Sequence, residues 1–340
     1  MSAHSKQVMQ VVQRSMERWG VVIAFVALFA FSTFQQGSDF FNAENFRALL
    51  NSNAAVGILA VGMTLVIISA GIDLSVGSMV ALAAAIGTTV MNSLIGSGSS
   101  EVTAVLVGGA VTVLVGLAAG SLNGILVVYG RIAPFIATLG GLAAFRSIAL
   151  AIADAGEIRS QSATLFSALG RGGLPLPGLE NSAGRPLTLS YSTVIFFVLA
   201  AIGQWVLSRS RFGRHLVAVG ANETAARYAG ISVSWVRLRV YALMGLLAGV
   251  VAFIQSSRMN SVSTAQLGLG SELDAIAAVV IGGTSLRGGF GRVWGTVVGV
   301  LILGMITNML TISGVSPHWQ GAVKGAVIVI AVLVQRSSRE

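Results

Sequence analysis

The sequence contains no cysteine, only five prolines, and 10% charged side chains in 340 residues. Without cysteine there are no disulfides, no thiolate metal ligands and no cysteine nucleophile, and the redox compartment stays open. Soluble domains carry about 25% charged residues. A chain this poor in charge cannot coat a water-facing surface of its size, so much of its solvent is lipid. Lysine is nearly absent too: of 21 basic residues only Lys6 and Lys324 are lysines. No basic run interleaves with aromatics, which removes the nucleic-acid reading that a pI near 11.2 invites. His4, His215 and His318 are too scattered to suggest a metal site. A phosphate-binding G-x-x-x-x-G-K-[ST] loop, H-E-x-x-H and G-x-S-x-G are all missing, and Trp294 stands where the last glycine of a G-x-G-x-x-G run from Gly289 would fall. These absences argue against an enzyme and leave no cofactor or metal for the chain itself.

What is present is apolar: 54% hydrophobic residues, 42 glycines and a mean hydropathy of +0.84. A spanning helix needs about 20 mostly apolar residues. Segments of that kind run over 19–34, 54–70, 76–95, 102–129, 134–153, 189–207, 236–254, 272–286, 293–312 and 319–335. The first follows Lys6, Arg14 and Arg18 as a signal peptide would, but no small-x-small cleavage site follows Phe34, so it reads as an uncleaved span. Short cytoplasmic loops collect Lys and Arg. With the N-terminus inside, twelve basic residues fall in inner segments (Lys6, Arg14, Arg18, Arg131, Arg209, Arg211, Arg214, Arg227, Arg287, Arg292, Arg336, Arg339). Five fall in outer ones (Arg47, Arg159, Arg171, Arg185, Arg258). The expectation is an all-α polytopic membrane bundle of about ten transmembrane helices with both termini cytoplasmic. Its divisions are an inner segment 1–18, a membrane domain 19–335 and a tail 336–340, with an irregular outer loop at 154–188 and a basic inner loop at 208–235.

Lipid supplies no hydrophobic drive between helices, so association needs close backbone approach. Gly108, Thr112, Gly116, Gly120 and Gly124 recur every four residues, and Gly245 with Gly249, Gly295 with Gly299, and Gly321 with Gly325 repeat the spacing. These are packing faces.

Acidic residues in apolar surroundings are costly. Gly71, Asp73, Ser75 and Gly77 interrupt an apolar stretch from Ala54 to Val90, which predicts a broken helix. Asp73 or Ser75 can cap the helix that follows; alternatively Asp73 lies on a polar path as a substrate or ion ligand. Glu272 and Asp274 open another apolar run, with Ser271 as its expected cap and Gly282, Gly283, Gly288 and Gly289 as its expected turn. Arg146 and Lys324 fall within spans and are expected to snorkel or pair. In the inner loop, Asn222 can cap a short helix, Glu223 suits its positive end, and Gly230 can end it in the left-handed conformation. A two-turn helix on the cytoplasmic face is a natural handle for a soluble partner.

Three stretches together, AVGMTLVIISAGIDLSVGSMVAL from Ala60, Glu272 to Gly291, and GRHLVAVGANETAARYAGI from Gly213, resemble the permease subunit of bacterial ABC importers for monosaccharides. This is the ribose, xylose, arabinose and galactose group, and the resemblance is nearest to its ribose permeases. It covers about Arg14 to Gln335. The family's diverged E-A-A…G signature falls on Glu223, Ala225, Ala226 and Gly230, in the loop that also holds Gly220 and Asn222. The resemblance implies that this helix docks into a cleft of an ATP-binding cassette subunit. The G-I-D-L-S-V-G signature falls on Gly71 to Gly77 without departure. The implied partners are that ATPase, which would hold ATP and magnesium, a periplasmic sugar-binding protein and a second permease copy, in a bacterial inner membrane. The implied activity is import of ribose or a similar pentose by ATP-driven alternating access. An ion-coupled secondary transporter or facilitator, with Asp73 or Glu272 as the proton-coupling group, is the alternative.

Overall fold

The computed structural model describes residues 3–180, 184 and 186–337; residues 1–2 of the inner segment, the outer-loop positions 181–183 and 185 and the tail residues 338–340 lie outside the described residues. In chain order the elements are α1 (Ala3–Gln36), α2 (Ala43–Ile68), α3 (Val76–Gly96), α4 (Glu101–Val128), α5 (Pro134–Ile152), β1 (Glu157–Arg159), α6 (Leu165–Arg171), β2 (Gly173–Glu180), β3 (Pro186–Ser190), α7 (Tyr191–Arg209), α8 (Arg211–Ala221), α9 (Glu223–Tyr228), α10 (Val233–Met259), β4 (Ser261–Ser263), α11 (Ser271–Ile281), α12 (Val293–Ile312) and α13 (Pro317–Ser337). The chain is an all-α membrane bundle.

Among the described residues, eight helical segments are long and apolar enough to cross a membrane, against the ten expected. One difference is physical. The segment expected at 272–286 yields a helix of only 11 residues, Ser271–Ile281. That is about 16 Å of helix, half a hydrocarbon core. Glycines at 282, 283, 288 and 289 end it early, the last three with positive φ. α13, with 21 residues, has a spanning length of about 31 Å.

Helix ends gather on two faces. On one, Asn51 Oδ1 accepts from Ser190 N (3.1 Å) and Thr193 Oγ1 (2.8 Å), Arg171 Nε donates to Arg258 O (3.0 Å), and Asn92 Nδ2 donates to Arg159 O (2.8 Å). On the other, Ile68 at the end of α2 meets Gly220 and Gly289. The chain from Asn260 to Ile281 runs from the first face to the second, extended and turning in its first half and helical only in its second. The described part of the 154–188 loop carries regular elements that were not expected: β1 pairs with β4, β2 with β3, and α6 falls between β1 and β2 in the chain. Glu101 Oε1 fastens this loop by accepting from Ser162 Oγ (2.5 Å), Thr164 N (2.8 Å) and Leu165 N (2.9 Å).

The core is built on α2, α3, α4 and α10, and the glycine stripe explains why α4 and α10 pack so closely. A Cβ on Gly116 would stand 2.7 Å from Gly249 Cα, and one on Gly120 2.7 Å from Gly245 Cα. Gly295 and Gly299 meet Gly282 and Ala278 of α11 in the same way. Gly321 and Gly325 depart from the expectation: among the described residues no neighbour lies within 4 Å of either Cβ position.

Candidate functional site: a helix break joined to a capped loop helix

The expected break lies between α2 and α3. Ala70 takes φ of 61°, and the chain stays non-helical to Ser75. Asp73 is fully buried, and its Oδ1 accepts from Ser75 N (2.9 Å) and Ser75 Oγ (2.7 Å). Asp73 therefore closes a turn ahead of α3. Ser75 takes the N-cap position, but its side chain makes no capping bond. Asn123 of α4, also fully buried, donates from Nδ2 to Ser75 Oγ (2.7 Å). Tyr241 of α10 donates to Ile72 O (3.3 Å), with its hydroxyl beside Gly71. Lipid cannot satisfy a broken backbone, so neighbouring helices do.

The second motif meets the first. Gly77, in the first turn of α3, lies against Gly268 O and Glu272 Oε2, so that a side chain on Gly77 would displace both. α11 starts from Gly270 in the left-handed conformation (φ 74°), and Ser271 does not cap it, contrary to expectation. Only glycine enters that conformation without a Cβ penalty. Glu272 and Asp274 part company. Glu272 faces α3, whereas both Asp274 oxygens take Lys324 Nζ of α13 at 3.1 and 3.2 Å.

The loop helix forms as the sequence predicts. α9 spans Glu223–Tyr228, Asn222 Oδ1 accepts from Ala225 N (2.9 Å), and Gly230 ends it with φ of 78°. Ala226 is buried beneath it and Tyr228 exposed above it. Glu223 does more than suit the helix dipole. Its Oε1 takes Arg227 Nη2 at 2.6 Å, and its Oε2 takes Arg237 Nη2 of α10 at 2.7 Å. Hydrogen bonding from Arg227, with the charge and hydrogen bond of Arg237 behind it, holds the Glu223 carboxyl below the ordinary carboxylate range.

The expectation for the loop leaves out two features. The first is α8, an amphipathic helix capped by Ser210, whose Oγ accepts from Gly213 N (3.0 Å). The S-x-x-G start and the apolar positions Phe212, Leu216 and Val219 carry its signal. The second is where α8 ends. Gly220 lies directly on Ile68 O, and Gly289 N donates to that same oxygen at 2.9 Å. A Cβ on Gly288 would fall 2.8 Å from Ala70 Cβ, and one on Gly289 2.6 Å from Ala221 Cα. The capped loop, the end of α2 that precedes the break, and the glycine turn after α11 thus meet at one point. A second line runs along α10, from Glu223 to Arg237 and one turn on to Tyr241, which holds Ile72.

Comparison with known proteins decides the family. A sequence profile described as the branched-chain amino acid transport system / permease component matches residues 45–332. The chain belongs to this permease family. The ribose import permease of Escherichia coli K12 is 37% identical to it over 327 residues, covering 95% of each chain. The ribose import permease of Bacillus subtilis 168 is 41% identical over 303 residues, covering 88% of this permease and 86% of its own length. The xylose transport system permease of Escherichia coli K12 is 33% identical over 368 residues, covering 94% and 91%.

Proposed function

We propose that the permease is the membrane subunit of an ABC importer that carries a monosaccharide, ribose or a similar pentose, across a bacterial inner membrane. The observation that carries this reading is the junction at Ile68, where a surface helix is wired to a break inside the membrane domain. In the proposal α9, with Gly220, Asn222, Glu223, Ala225, Ala226 and Gly230, seats in a cleft of a separate ATP-binding cassette subunit, which holds ATP and magnesium. Closure of that partner displaces α9 and α8. Backbone contacts at Gly220 and Gly289 pass the movement to Ile68, and Arg237 and Tyr241 pass it along α10 to Ile72. The break at Gly71, Asp73, Ser75 and Gly77, with Glu272 against Gly77, then changes shape and exposes the pathway to alternate sides. Asp274 holds α11 to α13 through Lys324 while this happens.

On this account both termini and α9 lie on the cytoplasmic side, a second copy of the permease completes the pore, and a periplasmic sugar-binding protein delivers solute to the face that bears Asn51 and Arg258. The resemblance to ribose and xylose permeases supports the sugar assignment, and the bonding of Asp73 within its own turn supports a structural role over proton coupling. The test is uptake of radiolabelled ribose and xylose into vesicles that hold the permease, its ATPase and the binding protein. Uptake that follows ATP supports the proposal. Uptake by the lone permease driven by a proton gradient contradicts it.

A further inference from the structure

Arg146 lies well inside a span, roughly 18 Å along α5 from Pro134, and is only half-buried. Its Nη1 donates to Thr264 O (2.7 Å) and Leu267 O (2.9 Å), two carbonyls of the non-helical stretch that leads into α11. Among the described residues its guanidinium makes no other hydrogen bond, so Nε and Nη2 keep their donors. Glu272, also half-buried, reaches the same stretch: its Oε2 and the carbonyl of Gly268, the residue after Leu267, both crowd one point beside Gly77. Yet no ion pair within 4.0 Å joins Glu272 to Arg146, whereas Asp274 and Lys324 close at 3.1 Å. Ala143, Ser147 and Gln266 beside them are exposed. A cation and an anion that stay half-exposed at this depth without closing on one another face water or a polar solute, because lipid tolerates neither.

Resting on the sugar reading above, we propose that Arg146 and Glu272 form a subsite that grips vicinal hydroxyls of a neutral sugar. A hydroxyl accepts from a guanidinium N–H and donates to a carboxylate oxygen, so a diol fits a gap between the two that neither side chain closes alone. The pair carries no net charge, so it favours an uncharged polyol over a sugar phosphate. Glu272 touches Gly77 and Arg146 holds the stretch before α11, which places the subsite beside the break that moves.

The chain has no cysteine, so single cysteines report cleanly. In membranes carrying the assembled importer, Gln266→Cys and, independently, Ser147→Cys are labelled with a charged methanethiosulfonate reagent, with and without millimolar D-ribose or D-xylose. The expected result is labelling slowed several-fold by the sugar, with ribose 5-phosphate giving no protection. Glu272→Gln is expected to remove the protection and to raise the KM for uptake more than it lowers the maximal rate. Unchanged labelling of both cysteines in membranes that import the same pentose overturns the subsite and leaves the importer reading standing. Failure of the unsubstituted importer to take up either pentose overturns the sugar reading, and the subsite with it.

Discussion

Replacing Gly220 by alanine tests the junction between the surface loop and the broken helix. The added Cβ would fall on Ile68 O, with Gly289 N at 2.6 Å and Ile68 C at 2.9 Å. All three are backbone atoms, so no side chain can swing aside. Forcing a methyl group into a packed site costs about 1–3 kcal/mol. Parting Gly289 N from Ile68 O, now 2.9 Å apart, removes a hydrogen bond worth about 0.5–1.5 kcal/mol. A penalty of about 2–4 kcal/mol on the docked arrangement follows, and about 1.4 kcal/mol is tenfold in an equilibrium. ATP-dependent pentose uptake is therefore expected to fall at least tenfold, measured in vesicles with matched permease content. Gly96→Ala serves as the control, because Gly96 is exposed and has nothing within 4 Å of its Cβ position; it should import normally. Gly220→Ala importing at the unsubstituted rate, with normal abundance and a monodisperse elution profile, refutes the junction as a coupling contact.

Other substitutions separate capping from chemistry. Asp73→Asn keeps an oxygen that can accept from Ser75, so expression and uptake should stay within about twofold of normal, whereas Asp73→Ala orphans buried donors at about 1–3 kcal/mol each and should lower the yield of folded permease. Loss of uptake by a well-folded Asp73→Asn variant would move Asp73 onto the pathway. Gly230→Pro demands φ near −65° where the chain has 78°, so insertion should survive while uptake and permease-stimulated ATPase activity are lost. The Glu223 carboxyl is held low, so its tie to α10 is fully present above the ordinary carboxylate range near pH 4 and is lost as pH falls through the lowered value. Proteolysis at the exposed α9 surface should accelerate only in acid below that range, and an onset near neutrality would contradict the assignment.

Much of this molecule is legible in the sequence where one local signal suffices. Asn222, Glu223 and Gly230 announce α9 because an N-cap, an early acid and a left-handed glycine act within a single short helix. The break shows because four polar or small residues, Gly71, Asp73, Ser75 and Gly77, interrupt an apolar run. α11 is misjudged because the span read at 272–286 runs across Gly282 and Gly283, the first glycines of the turn, whereas the helix stops at Ile281. Ser271 is misread for a related reason: the left-handed Gly270 starts the helix without a side-chain cap. The junction at Ile68 is invisible beforehand. It depends on three segments, at 68, 220 and 289, whose meeting is fixed by packing and not by spacing, and the only local hint is glycine at two of them. Arg237 likewise reveals its bond to Glu223 only once α9 folds back on α10.

The path from the loop to the membrane domain is tested most directly by a charge swap. Glu223→Arg and Arg237→Glu each break the 2.7 Å pair and should each reduce ATP-driven uptake several-fold in membranes of equal permease content. The double variant restores opposite charges across the same gap, and the account predicts that it recovers much of the lost uptake. Uptake in the double variant equal to the product of the two single losses would show that Glu223 and Arg237 act independently, and would contradict the claim that α9 drives the helix break through α10.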